Sequence, residues 1–195
     1  YADEVGALTL DDPIEFRGQA CFVDGMTDSS MFFGYFNRDD YVRPLTGTAK
    51  DQRPPSMMGI ELNDSTSIGY YFSPFVRDAS GSAWSGNQHY TFLPDRKPHP
   101  FTFKYDPAAN GGLGRVTYTL DGQEGEVNLD GQQRKAGTRF DRFGLACVRR
   151  GGSSVEIYFD DLAYTARRAP AALPLFHQQA ITERPYPAES AGRKY

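Results

Sequence analysis

The chain has 195 residues, 39% of them apolar and 14% aromatic, with a net charge of −4 and a pI near 5.4. That length suits one domain with a sizeable core, and the acidic balance gives no electrostatic footprint for nucleic acid. No run of about 18 apolar residues is present that would cross a membrane as a helix. The aromatic share favours strands, and the twenty glycines and thirteen prolines punctuate many short elements. The chain opens on Tyr1-Ala2-Asp3-Glu4 with no initiator Met and no export segment, so we read it as an excerpt of a longer product.

In chain order, Ile14 to Asp24 predicts a strand, followed by a turn at Gly25 and a hairpin partner over Ser30 to Asn37. Residues 38–55 read as a long polar loop with Pro44, Pro54 and Pro55. Met57 to Asn63 and Ser67 to Phe75 are two further strands joined at Asn63-Asp64-Ser65, with Met58, Ile60 and Leu62, then Ile68, Tyr70 and Phe72, at period-two spacing. Residues 77–87, an irregular stretch, carry the sole tryptophan, Trp84, and short runs at 88–93 and 99–106 follow.

Asp106 to Gly114 reads as a turn-rich loop. Arg115 to Leu120 alternates cleanly, Asp121-Gly122 is a hairpin signal, and residues 123–129 return from it. Arg139 to Arg149 and Ser154 to Thr165 predict a last hairpin around Gly151-Gly152. Ten to eleven short antiparallel strands, with no amphipathic helix, call for a second sheet to cover the apolar faces. The predicted class is all-β, a two-sheet antiparallel sandwich or jelly roll over residues 1–165. A Pro-, Ala- and Arg-rich extended tail follows over 166–195. Cys21 and Cys147 lie inside apolar strand patterns; they are small buried hydrophobes, or a disulfide if their strands are neighbours.

The stretch from Phe101 to Thr165 contains Tyr105-Asp106-Pro107, Gly111-Gly112-Leu113-Gly114-Arg115-Val116 and Leu120-Asp121-Gly122. Beyond these come Phe140-Asp141-Arg142-Phe143-Gly144-Leu145 and Ile157-Tyr158-Phe159-Asp160-Asp161-Leu162. This succession resembles the closing strands of concanavalin A-like lectin/glucanase and laminin-G-like jelly rolls of large exported bacterial proteins. The resemblance implies binding or cleavage of carbohydrate, or in some members binding of protein partners, and often a structural calcium ion. It also implies an extracellular or periplasmic setting beside neighbouring domains of the same polypeptide, without membrane insertion.

Retaining glycosidases of that superfamily carry Glu-x-Asp-x-x-Glu, and retention needs two carboxyl groups about 5 Å apart; this chain lacks the motif. Glu124 and Glu126 share a face but follow the Asp121-Gly122 turn, where charged groups are solvated. Glu156 and Asp160 share parity opposite Val155, Ile157 and Phe159, a placement better suited to a metal than to a glycosidase pair. Lyases of this fold need a Tyr and a His to remove a proton beside a uronate. His89 is the candidate, since His99 lies between prolines and His177 in the tail.

The leading expectation is therefore a non-catalytic, lectin-like module, with a polysaccharide-degrading enzyme or a packing domain without sugar as rivals. A sugar site needs an aromatic platform and rigidly held polar groups. Tyr35, Asn37, Glu61 and Tyr71 are the candidates from neighbouring strands, with Trp84 and His89 closing one end. For calcium, Asp160 and Asp161 end the last strand as read here and Asp12 precedes the first, so the two groups are expected to converge if those strands are neighbours.

Overall fold

The computed structural model describes residues 2–25, 30–41, 53, 55–66, 69–85, 90–147 and 155–167. Among these, twelve strands make two antiparallel sheets. In chain order they are β1 (Ala2–Thr9), β2 (Ile14–Gly25), β3 (Met31–Phe36), β4 (Met57–Thr66), β5 (Gly69–Arg77) and β6 (Ala83–Ser85). Then come β7 (Tyr90–Phe92), β8 (Pro98–Asp106), β9 (Arg115–Leu120), β10 (Gln123–Asn128), β11 (Arg139–Cys147) and β12 (Val155–Tyr164). Three helical turns, α1 (Arg38–Tyr41), α2 (Ala109–Gly112) and α3 (Gly131–Lys135), sit in connections. The first sheet has seven strands in the order β1-β11-β3-β4-β5-β6, with β7 also on β5; the second has five, β10-β9-β8-β2-β12.

The inward faces alternate as the pattern demands. Phe16 of β2 stacks on Phe103 of β8 at 4.8 Å and meets Phe33 of β3 edge-on at 5.5 Å. Phe33 in turn stacks on Phe159 of β12 at 4.2 Å. Rings from both sheets thus interlock at the distances aromatic pairs prefer, and this layer is the core. The β9–β10 hairpin turns at Asp121 (φ 52°) and Gly122 (φ 77°), the two left-handed residues that match the twist of paired strands. At α3, Asp130 accepts from the amides of Gln132 and Gln133, while the Gln133 side chain accepts from the Asp130 amide, a reciprocal capping box.

Several sequence expectations are corrected. β1 was not predicted, because a register shift between Glu4 and Leu8, with Gly6 at φ 79°, breaks its alternation. β2 and β3 are not a hairpin: β2 pairs with β8 and β12, and β3 with β11 and β4, in the other sheet. The expected β11–β12 hairpin is likewise a crossover, since β11 joins β1 and β3 whereas β12 joins β2. Alternation reports that a strand has a buried face, not which neighbour it meets. β4 also continues to Thr66, past the expected turn at Asn63-Asp64-Ser65.

Pro74 explains the irregular reading of 77–93. It has no N–H to offer a neighbour, and β5 pairs on that side with β7 through Tyr70–Phe72 and with β6 through Phe75–Arg77, leaving Pro74 at the break. Cys21 lies in the five-stranded sheet and Cys147 in the seven-stranded one, so their strands are not neighbours, and Cys21 is a buried free thiol. The beginning of the tail is pinned: the Thr165 amide donates to Glu15 O at 2.9 Å and the Arg167 amide to Val5 O at 2.8 Å.

Candidate functional site

Of the sequence-predicted binding residues, Glu61 and Tyr71 fall on the outer face of the seven-stranded sheet, and the registers order that face into rows. One row runs Glu4, Arg142, Phe36, Met57, Arg77 and Ala83. The next runs Ala2, Gly144, Gly34, Gly59 and Phe75. A third holds Ala146, Phe32, Glu61 and Ser73, and a fourth the Asn63 register position, Tyr71 and Thr91.

Three glycines abreast would leave a trench across the sheet. The Phe32 ring fills it: a Cβ placed on Gly34 or Gly59 would meet Phe32 Cζ at 3.1 or 3.0 Å. Phe32, Phe36, Met57, Phe75 and Ala146 form a second buried cluster on this outer side, with Phe32 and Met57 at 0% exposure. Among the described residues, the outer face over Gly34, Gly59 and Phe75 is therefore filled by side chains and is not an open aromatic hollow.

Over the cluster lies Arg53. Its guanidinium sits 5.0 Å from the Phe75 ring centroid and donates to Glu61 Oε1 through Nη2 at 2.5 Å and Nε at 3.0 Å. Glu61 is 2% exposed. A carboxylate taken out of water needs such a fork, because an uncompensated buried charge is costly. Arg77 on the next strand donates to Arg53 O at 2.5 Å and to Gly81 O at 3.1 Å. Sequence reasoning missed Arg53, which lies in an aperiodic stretch beside Pro54 and Pro55. The available signal was Glu61 itself: an acid between Ile60 and Leu62 on a strand covered on both faces demands a cation.

The remaining candidates separate. Tyr35 is corrected: it is fully buried in the inter-sheet core, with its hydroxyl donating to Thr165 O at 3.0 Å and Glu15 O at 3.2 Å. Burial pushes its phenol well above the ordinary range against those hydrogen bonds, so Tyr35 is a neutral core donor. Its alternation with Phe36 placed one of the pair inward, and the inward one is Tyr35. Asn37 ends β3, half-buried, with its Oδ1 accepting from the Asp39 amide at 3.0 Å, which turns the chain into α1. Nearby, burial first, and then Asp39 and Asp141, raise the Asp40 carboxyl although Ser56 bonds to it.

Tyr71 stands half-buried on the outer face, opposite the Asn63 position and exposed Thr91, whereas Tyr70 faces the core. The backbone of Trp84 pairs with Val76 in β6, and His89 lies outside the described residues. The structure thus brings Glu61 and Tyr71 together, leaves Asn37 at a strand end, and removes Tyr35.

The aspartates do not converge as expected. β12 continues to Tyr164, and Asp160 and Asp161 form a bulge in mid-strand beside Gln19, whose Nε2 donates to Asp161 Oδ2 at 3.1 Å. β2 and β12 are neighbours but antiparallel, so Asp12, before β2, lies beside the chain end after β12. It accepts from the Thr9 amide at 2.8 Å and pairs with Arg167. The two groups are separated by on the order of 15–20 Å at roughly 3.3 Å per residue. No group of three or more His, Cys, Asp or Glu is placed to hold a metal among the described residues. Burial pushes the Asp12 carboxyl up, but bonds from Thr9 and Arg167 outweigh it and hold the group below its ordinary range. An open groove of about 290 Å³ runs along Glu15, Arg17, Ala163, Tyr164 and Thr165 on the five-stranded sheet, away from Glu61 and Tyr71.

No family model matches the chain, and no curated protein matches it in sequence. Solved structures do. An alginate lyase, PA1167 from Pseudomonas aeruginosa, aligns at 16% identity over 81% of this chain and 66% of its own, with a TM-score of 0.49. Alginate lyase A1-II', of polysaccharide lyase family 7, aligns at 12% identity over 85% of this chain and 65% of its own, with a TM-score of 0.47. The chain thus spans about two thirds of the length of either lyase. The carbohydrate recognition domain of Emp46p, in its metal-free form, aligns at 12% identity over 82% of this chain and 74% of its own, with a TM-score of 0.50. Together with the two antiparallel sheets, the likeness to that domain establishes the architecture: this chain has a two-sheet antiparallel jelly-roll fold.

Proposed function

We propose that this domain is a non-catalytic carbohydrate-binding module of a larger exported protein, and that its ligand lies against the outer face of the seven-stranded sheet at the β4–β5–β7 end. The observation that carries the reading is the placement of half-buried Tyr71 on the outer face of β5, two residues from buried Ser73, whose register partner on β4 is Glu61, the carboxylate locked by Arg53. A phenol ring partly open to water offers the apolar face of a pyranose a platform, and preordered polar groups beside it lower the ordering cost of gripping hydroxyls. The Emp46p domain, described as recognising carbohydrate, has the same architecture, which supports this choice over a packing role.

The test is a glycan array on the domain, followed by titration calorimetry on any glycan retained. Tyr71→Ala is expected to abolish binding while the melting temperature stays within about 2 °C, since a half-exposed ring contributes less than a core one. Retention of no glycan, or unchanged binding by Tyr71→Ala, overturns the proposal. Reducing ends or unsaturated products released from polysaccharides would overturn its non-catalytic half.

A further inference from the structure

His99 is the register partner of Ala20, at the start of β8, and it holds a carboxylate on each ring nitrogen. Nδ1 lies 2.6 Å from Asp121 Oδ2, and Nε2 lies 3.0 Å from Asp95 Oδ1. A neutral imidazole has one N–H to give, and an ionised carboxylate can only accept, so both contacts are satisfied together only by imidazolium. The ring edge also meets Phe92 of β7 at 5.2 Å.

The two carboxylates belong to different connections. Asp95 lies in the crossover 93–97, which carries the chain from β7 in the seven-stranded sheet to β8 in the five-stranded one. Asp121 forms the β9–β10 turn, whose amide donates to Pro100 O at 3.0 Å. The crossover is otherwise tied to β2 by the Arg96 amide on Phe22 O at 3.2 Å. The charged groups facing this cluster among the described residues are Asp95, with Lys97 behind it at 3.8 Å, and Asp121; β2 contributes uncharged Ala20 and β7 the Phe92 ring.

We propose that His99 is a pH-operated latch. As imidazolium it fastens the crossover and the β9–β10 turn to the start of β8. When it loses a proton, one nitrogen turns a lone pair towards a carboxylate, that contact is lost, and this rim of the sandwich loosens. Burial alone would lower the histidine's affinity for its proton, but the bonds to Asp95 and Asp121 outweigh it and raise that affinity. The folded state therefore gains from the latch below the ordinary imidazole value of about 6.5 and loses it as pH rises through the higher folded value.

The experiment is an NMR titration of the full chain from about pH 5 to 9, with His99 assigned by comparison with His99→Gln. Amide hydrogen exchange is followed in parallel at Asp95, Arg96, Lys97 and Gly122, corrected for intrinsic rates. The expected midpoint lies above about 6.5 and falls in both Asp95→Asn and Asp121→Asn. Exchange at those amides rises about tenfold or more across the midpoint, while interior amides of β3 and β8 stay flat. In His99→Gln the exchange is fast and independent of pH. A midpoint at or below about 6.5, a midpoint unmoved by both Asn variants, or wild-type exchange without a pH step overturns the latch. If His99→Gln does not fold, the two Asn variants carry the same test, since each removes a single charge.

Discussion

Glu61 is 2% exposed and Arg53 16%, and their contacts of 2.5 and 3.0 Å put the pair among buried ion pairs rather than surface ones. Replacing Glu61 by Met keeps the volume but strands a guanidinium over Phe75. Breaking a fully buried pair costs about 3–5 kcal/mol; the residual exposure of Arg53 lets water reach part of the group, so about 2–3 kcal/mol is expected. For a chain of this size that lowers the melting temperature by roughly 5–10 °C. Arg53→Met alone takes both guanidinium bonds from the buried carboxylate and should cost a similar amount. The double variant replaces both charges by apolar groups and should recover most of the loss, because desolvation of the two charges disappears with them. Urea unfolding of the four proteins gives the coupling directly, expected at about 3–5 kcal/mol, the summed single losses less the small loss left in the double variant. If the single losses simply add in the double variant, Arg53 and Glu61 form no more than a surface contact and the buried-pair account of this face fails.

Gly59→Ala should destabilise by about 3 kcal/mol or more in urea unfolding, since its Cβ would meet the Phe33 carbonyl and lie 2.8 Å from Gly34 Cα, backbone atoms that cannot swing aside. An equally stable variant would show that the glycine row is not closely packed. Tyr35→Phe takes the phenol's bonds from Thr165 O and from Glu15 O, the latter still held by Thr165, and should cost about 1 kcal/mol by the same assay, with glycan binding unchanged; loss of binding at full stability would return Tyr35 to the site. Because the folded state holds the Asp12 carboxyl below its ordinary range, Asp12 contributes stability above the unfolded value, and this is lost as pH falls through the lowered folded one. Asp12→Asn should therefore cost about 1 kcal/mol near neutrality and less in acid, where wild type and variant converge; a difference independent of pH would refute that sign.

The tertiary arrangement also decides which functional readings remain available. The outer side of the seven-stranded sheet is no open trough: Phe32 lies over the glycines and Arg53 over Phe75, so the surface left for a ligand is the margin around Tyr71 and Thr91. A ligand there would meet an edge with fixed charges beneath it, not a deep pocket.

The sequence by itself determined the class. Period-two alternation in Arg115–Leu120 and Met57–Leu62 puts alternate side chains on one face, and that follows from strand geometry whatever the strand meets. Asp121-Gly122 fixed one hairpin because a two-residue turn leaves a single local way to pair. Only the tertiary structure decided the long-range pairings of β2, β3, β11 and β12, since alternation is the same for any partner. The same degeneracy hid the fate of Tyr35 and Tyr71: parity separates each from its neighbour, but which side receives the second sheet depends on strands far away in the chain. Glu61 needed a cation from an aperiodic loop, and the Asp12 and Asp160 groups needed the strand direction to show that neighbours running opposite ways set them apart.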